Sequence, residues 1–172
     1  MKLPNCSLGS NLKKKPEGKD DILDNLERIF IRFQQVARQM SRRHASRPTL
    51  DITDEFDVQD LLHALLRIYC DDIRSEEWTP SYAGSSSRMD FLLKGEQVVV
   101  ETKKTRDNLR DKEIGEELIV DIQKYSEHPD CNNLVCFIYD PDGKIVNPTG
   151  LENDLNKLSN DNLQVNTFVF PK

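Results

Sequence analysis

The chain has no run of apolar residues long enough to cross a membrane. Its longest, Leu61–Leu66 and Leu134–Tyr139, are short or interrupted, whereas a spanning helix needs about 20 such residues. The opening MKLPNCSLGSNLKKK carries no apolar stretch of the kind an export signal needs. The expectation is a cytoplasmic protein that makes no use of a membrane. Cysteine is scarce and scattered: Cys6, Cys70, Cys131 and Cys136 form no CxxC pair. His128, Cys131 and Cys136 lie close in sequence, but no clear fourth ligand accompanies them. A loop thiol and a buried strand thiol are expected there rather than a zinc site. Positive charge is not in excess either. A net charge of −6 argues against a protein that coats nucleic acid through a basic domain. It leaves a nuclease open, because a bound cation would neutralise carboxylates at a metal site. Internal repeats are absent.

What remains is the composition of a globular chain on the polar side, 37% hydrophobic and 31% charged over 172 residues, enough for one domain with an appended N-terminal element. Residues 1–19 are polar, interrupted by Pro4, Gly9, Pro16 and Gly18, and show no period, so a disordered tail is expected. Ile22, Leu23, Leu26, Ile29, Phe30, Phe33, Val36, Ala37 and Met40 then recur at helical spacing. A stripe this broad must be buried against its own domain, a second copy or another protein. Pro48 closes the basic segment SRRHASRP, and a boundary is expected there: 20–48 as an assembly or partner-binding helix with its linker, 49–172 as the main domain. Basic residues cluster at Lys13–Lys15, at Arg38, Arg42, Arg43 and Arg47, and from Lys103 to Lys112.

Within the main domain a helix is expected over Glu55–Cys70, capped by Thr53 or Asp54. Glu55 there either stabilises the helix dipole or adds an acid to a site, and both readings stand. A short strand over Asp71–Trp78 and a loop over Thr79–Ser87 follow. A helix over Arg110–His128 comes after, then a doubly buried strand over Asn133–Tyr139, a short helix to Leu158 and a last strand over Leu163–Phe170. The order implies an α/β fold, three layers with a mixed sheet between helices.

The most informative stretch is SSSRMDFLLKGEQVVVETKKTR, residues 85–106. Strands over Arg88–Lys94 and Gln97–Lys103 flank Gly95-Glu96, which suits a two-residue type II′ turn. With Lys94 opposite Gln97, Leu92 faces Val99 and Asp90 faces Glu101. Lys103 shares the face of Glu101 because side chains alternate along a strand. Paired carboxylates on neighbouring strands suit a hard divalent cation, and a nearby lysine can orient or deprotonate an attacking water and stabilise developing charge. A salt-bridged surface hairpin explains the same three residues, and spacing alone leaves both readings open.

Ser87-Arg88-Met89-Asp90, seven intervening residues and Val98-Val99-Val100-Glu101-Thr102-Lys103, with ten residues between Asp90 and Glu101, resemble the PD-(D/E)XK nuclease signature, with Met89 where proline would stand. The stretches 54–66, 76–93, 98–107, 121–148 and 151–155 together resemble the DpnII/MboI-type restriction-endonuclease-like domain over about residues 52–170. The resemblance implies a restriction-endonuclease-like fold and a Mg²⁺-dependent endonuclease (Mn²⁺ substituting) that hydrolyses DNA phosphodiester bonds in restriction or defence against phage. By that resemblance Asp90, Glu101 and the Thr102 carbonyl would hold the metal and Lys103 would position the water. Glu55 and Gln123 would be accessory, and Arg88, Lys104 and Arg106 would meet DNA phosphates. A homo-oligomer or partner protein would be engaged through the 22–40 helix. A catalytically silent module of the same fold, serving as a scaffold, is the alternative.

Overall fold

The computed structural model describes residues 19–78 and 88–172. The expected tail, apart from Lys19, and the expected loop over 79–87 lie outside the described residues. Helices α1 (Lys19–Met40) and α2 (Glu55–Leu66) precede strands β1 (Ile73–Ser75), β2 (Phe91–Leu93) and β3 (Val98–Lys104). Then come α3 (Asp111–Tyr125), β4 (Asn133–Tyr139), α4 (Pro148–Asn156) and β5 (Gln164–Phe170). The five strands lie in chain order. β1, β2 and β3 pair antiparallel, whereas β3, β4 and β5 pair parallel. Parallel neighbours need crossover connections, and those are right-handed. Two successive crossovers in one direction therefore place α3 and α4 on the same face. α1 and α2 cover the other, giving the expected three layers.

Each layer has its own apolar core. On one side Leu26, Phe30 and Phe33 of α1 and Val58, Leu62 and Leu66 of α2 meet Val98, Val100, Val135 and Phe137 of the sheet. On the other, Ile114, Leu118 and Ile122 of α3 and Leu155 of α4 meet Val99, Leu134, Cys136 and Ile138. β4 is an interior strand paired on both sides, and all of its residues after Asn133 are buried, which is why NLVCFIY is continuously apolar. Cys70, Cys131 and Cys136 are buried free thiols. No group of three or more His, Cys, Asp or Glu side chains arranged to hold a metal occurs among the described residues.

Three expectations need revision. First, α1 is not an appendage. Its stripe packs on the sheet, with Phe30 stacked on Phe137 at 4.3 Å between ring centroids and Phe33 edge-on to Phe137 and Tyr139. The face expected to meet a partner is covered by the chain's own strands, so the boundary near residue 48 does not separate two units. Second, the hairpin turn spans four residues, Lys94–Gln97, with the left-handed φ of +56° at Gln97 rather than at Gly95. The Asn132 and Asn133 N–H groups donate to the Gln97 carbonyl, and the Asn132 amide donates to its side chain, which ties Gln97 to the start of β4. Two- and four-residue loops give the same pairing, so Leu92 still faces Val99. Third, β2 does not begin at Arg88. Met89 and Leu92 enter the same core although three positions apart, so alternation breaks at a bend on Asp90. α2 also stops at Leu66, short of Cys70.

Burying a large apolar side chain stabilises by about 1.5–3 kcal/mol, and Leu26, Phe30 and Phe33 are each 0–1% exposed. Their sum rivals the net stability of a typical domain, about 5–15 kcal/mol. Deleting residues 1–48 is therefore expected to abolish cooperative thermal unfolding in circular dichroism. A folded 49–172 fragment would contradict this.

Candidate functional site

The site forms where the sheet is left open. β2 begins only at Phe91, opposite Val100, so among the described residues the β3 edge continues past it without a strand partner. Two acidic side chains take the place of that strand. The Thr102 N–H donates to Asp90 Oδ2 at 2.7 Å, and the Thr102 hydroxyl donates to the same oxygen. The Lys104 N–H, two residues on, donates to Glu55 Oε2 at 3.2 Å. Along a strand, alternate residues present N–H and C=O to the same edge, so the Thr102 carbonyl leaves on the side where Asp90 sits. Asp90 thus lies at the edge of the sheet rather than on the face assigned to it from pairing arithmetic. Glu101 and Lys103 occupy the face toward α3, beside this edge.

Glu55 is held there by the cap of α2. The Asp57 N–H donates to Asp54 Oδ1, and the Asp54 N–H donates back to Asp57 Oδ2, each at 3.1 Å. Thr53 adds its own N–H and hydroxyl to Asp57 Oδ2. This reciprocal box satisfies helix-end donors that would otherwise lack partners, and these bonds hold the Asp57 carboxyl below its usual range. It also fixes the first turn, and with it Glu55. One turn further, Gln59 hydrogen-bonds Asp90 through its side chain.

Glu101 is 5% exposed and Lys103 9%. Lys103 Nζ donates to Glu101 Oε1 at 3.2 Å and lies 3.6 Å from Glu117 and 3.7 Å from Asp121 of α3. The Tyr125 hydroxyl donates to Glu101 Oε2 at 2.5 Å. Glu117, Asp121 and Tyr125 are spaced four residues apart and so form one row on α3. Five carboxylates, Glu55, Asp90, Glu101, Glu117 and Asp121, therefore surround one ammonium. Burial, with Asp90 adding repulsion, pushes the Glu101 carboxyl up to about 8. Burial also raises Glu55, Asp90 and Asp121. Burial opposes the charge on Lys103, yet Glu101, Glu55 and Asp121 outweigh it and hold the lysine above its ordinary range, so it is protonated.

Of the expected residues, Asp90, Glu101, Thr102, Lys103 and Glu55 come together. Gln123 does not: it is exposed and stands two residues, about 200° of helix rotation, from Asp121. Arg88 pairs with Glu76 at 3.3 Å and lies over the Trp78 ring. Lys104 and Arg106 line a cleft of about 290 Å³ beside the cluster, shared with Glu55, Phe56, Leu109 and Glu117. Phe56 is 72% exposed at this cleft. Asp121 and Glu117 were missed from sequence, where the row of acids four apart ahead of Tyr125 was the available signal. A larger hollow of about 610 Å³ opens at the opposite end of β4 and β5, lined by His128, Asn132 and Asn160 among others, and includes none of the clustered acids.

The family model described as REase_DpnII-MboI, that of the DpnII/MboI restriction endonucleases, matches residues 24–172. The chain belongs to this family. Comparison with curated proteins and comparison with solved structures each give no match. Membership makes the mixed sheet and its flanking helices a restriction-endonuclease-like fold and implies DNA endonuclease activity. The family match begins within α1, in keeping with that helix being part of the domain. No helix among the described residues is long and apolar enough to cross a membrane.

Replacing Asp57 by Ala removes the acceptor of the α2 cap while touching none of the clustered acids. It is expected to lower unfolding stability by about 1 kcal/mol in a denaturant titration, and wild-type stability would show that the cap does not secure the helix.

Proposed function

We propose that the chain is a divalent-metal-dependent endonuclease that cleaves DNA at the open edge of β3, with Asp90, Glu101 and Lys103 at its centre. The observation that carries this reading is the excess of buried acid around a single lysine. Such an arrangement opposes folding unless a cation or a reaction profits from it. The donors are carboxylates and a backbone carbonyl, hard oxygen ligands, without thiol or imidazole. Mg²⁺ asks for one or two carboxylates and keeps several waters, so a cage of three or more acids is not required. Asp90, Glu101 and the Thr102 carbonyl would hold the ion, with Asp121 and Glu55 next in line. When bound, the ion would supply Lewis-acid activation and charge neutralisation at the scissile phosphate.

The chain's own residues do the rest. Lys103, protonated in this setting, orients the attacking water and stabilises negative charge on the phosphoryl group rather than accepting a proton. The Tyr125 hydroxyl and Lys103 together fix the Glu101 carboxylate, one on each oxygen. Thr102 does the same for Asp90 through two donors. Lys104 and Arg106, lining the adjacent cleft, and Arg88 contact phosphates of the bound strand. We read the biological setting as restriction of incoming DNA in the cytoplasm, a reading that rests on family membership.

Purified protein with Mg²⁺ or Mn²⁺ is expected to cleave plasmid DNA, and a chelator to stop it. Lys103→Ala should lower the rate by at least about a hundredfold while leaving a folded chain. Cleavage that persists in chelator would refute the metal requirement, and an active, folded Lys103→Ala would refute the assigned centre.

A further inference from the structure

The last turn of α1 and the segment joining it to α2 carry four arginines, Arg38 on the helix and Arg42, Arg43 and Arg47 after it, all exposed. Among the described residues none of the four forms an ion pair with a carboxylate, although Lys94, Lys103, Lys144, Lys157 and Lys172 do. Arg42, Arg43 and Arg47 line a hollow of about 270 Å³ together with Gln39, Met40 and His44. The segment is built rather than loose. Arg43 donates to the Pro48 carbonyl and Thr49 to the Met40 carbonyl. Ala45 and Ser46 both hold left-handed φ, +58° and +50°, a conformation non-glycine residues adopt at a cost and one that concentrates at functional places.

Its position follows from its two anchors. α1 runs alongside β4 in the same direction: Phe30 meets Phe137, Phe33 meets Tyr139, and Gln34 accepts from the Tyr139 hydroxyl. Tyr139 pairs with Lys104 in the sheet, so α1 ends at the end of the sheet that carries the catalytic cluster. The segment returns to that same end, because Glu55 is bonded to the Lys104 N–H. Neighbouring strands are about 5 Å apart and packed layers about 10 Å apart, so the end of α1, one layer above β4 and β5, stands roughly 10–15 Å from the end of β3. One DNA strand carries a phosphate about every 3.4 Å of helix axis, so an offset of this size spans only a few phosphates. The cluster itself is acidic and repels DNA. A cationic surface beside it offsets that repulsion.

We infer that Arg42, Arg43 and Arg47, with Arg38 beside them, form a phosphate-binding track that holds the DNA backbone flanking the cleavage point. This inference rests on the nuclease reading above. Phosphate contacts position the duplex without reading bases, so the track acts on all sequences alike.

The test uses the full chain and labelled duplex DNA in chelator, with affinity read by fluorescence anisotropy across a salt series. Arg42→Ala/Arg43→Ala/Arg47→Ala is expected to weaken binding on the order of tenfold and to reduce the salt slope by about 2–3, roughly 0.9 for each phosphate that is no longer neutralised. In the presence of Mg²⁺ the drop in kcat/KM follows the drop in affinity. Arg67→Ala/Lys94→Ala/Lys157→Ala, an equal charge change at the opposite end of the sheet, should leave both unchanged. If the triple variant proves unstable, Arg42→Ala/Arg47→Ala spares the Arg43 bond and should give a slope reduction of about 2. A wild type that binds and cleaves, with track variants matching its affinity and slope or weakened no more than the control, overturns the track and leaves the nuclease reading standing. A wild type that neither binds nor cleaves DNA overturns both.

Discussion

The structure turns on a missing piece of strand. β2 begins only at Phe91, and past that point β3 offers the N–H groups of Thr102 and Lys104 to no neighbouring backbone among the described residues. Leaving such donors unsatisfied when buried costs about 1–3 kcal/mol each. Asp90 and Glu55 satisfy them instead, and the hydrogen bonds are charge-assisted and correspondingly strong. Ordinary sheet completion would have put a backbone there. Using side chains places two carboxylates side by side at the end of a rigid strand, and that need for edge donors is what gathers acid at this point.

The arrangement is held from three directions, which is why it is rigid. β3 supplies Glu101 and Lys103 from within the ladder to β4. α2 supplies Glu55 through a capped first turn. α3 supplies Glu117, Asp121 and the Tyr125 hydroxyl from one helical row. The chemistry occupies the boundary between two cores, where polar groups can be dry yet still reach the surface. Burial shifts Glu55, Asp90, Glu101 and Asp121 toward their protonated forms. Stability is given up locally, and the two large apolar layers on either side of the sheet compensate.

α1 links this site to the surface around it. Its aromatic residues anchor the far layer on Phe137 and Tyr139, and the same helix delivers the arginine segment to the active end of the sheet. One element thus serves packing and positioning. On the proposed nuclease reading, the acidic centre and the cationic flank are complementary, since carboxylates repel the polyanion that arginines attract.

Much of this was legible in the residues. Hydrophobic period alone marked α1, α3 and the doubly buried β4. The run of valines before Glu101 marked the buried strand, and the spacing from Asp90 to Lys103 marked the acid pair and its lysine. These are local properties: period, turn residues and strand alternation act between near neighbours, so sequence by itself determined them. What only the tertiary structure decided was how separate elements meet. A buried stripe looks the same whether it faces a sheet or a second chain, so α1 could not be assigned to its own domain until Phe137 was seen against Phe30. Alternation predicts a face but not a bend, so the edge position of Asp90 needed the packing of both Met89 and Leu92. Gln123 and Asp121 sit on one helix two residues apart. Which of them reaches Lys103 depends on the rotation of α3 against the sheet, and long-range packing sets that rotation.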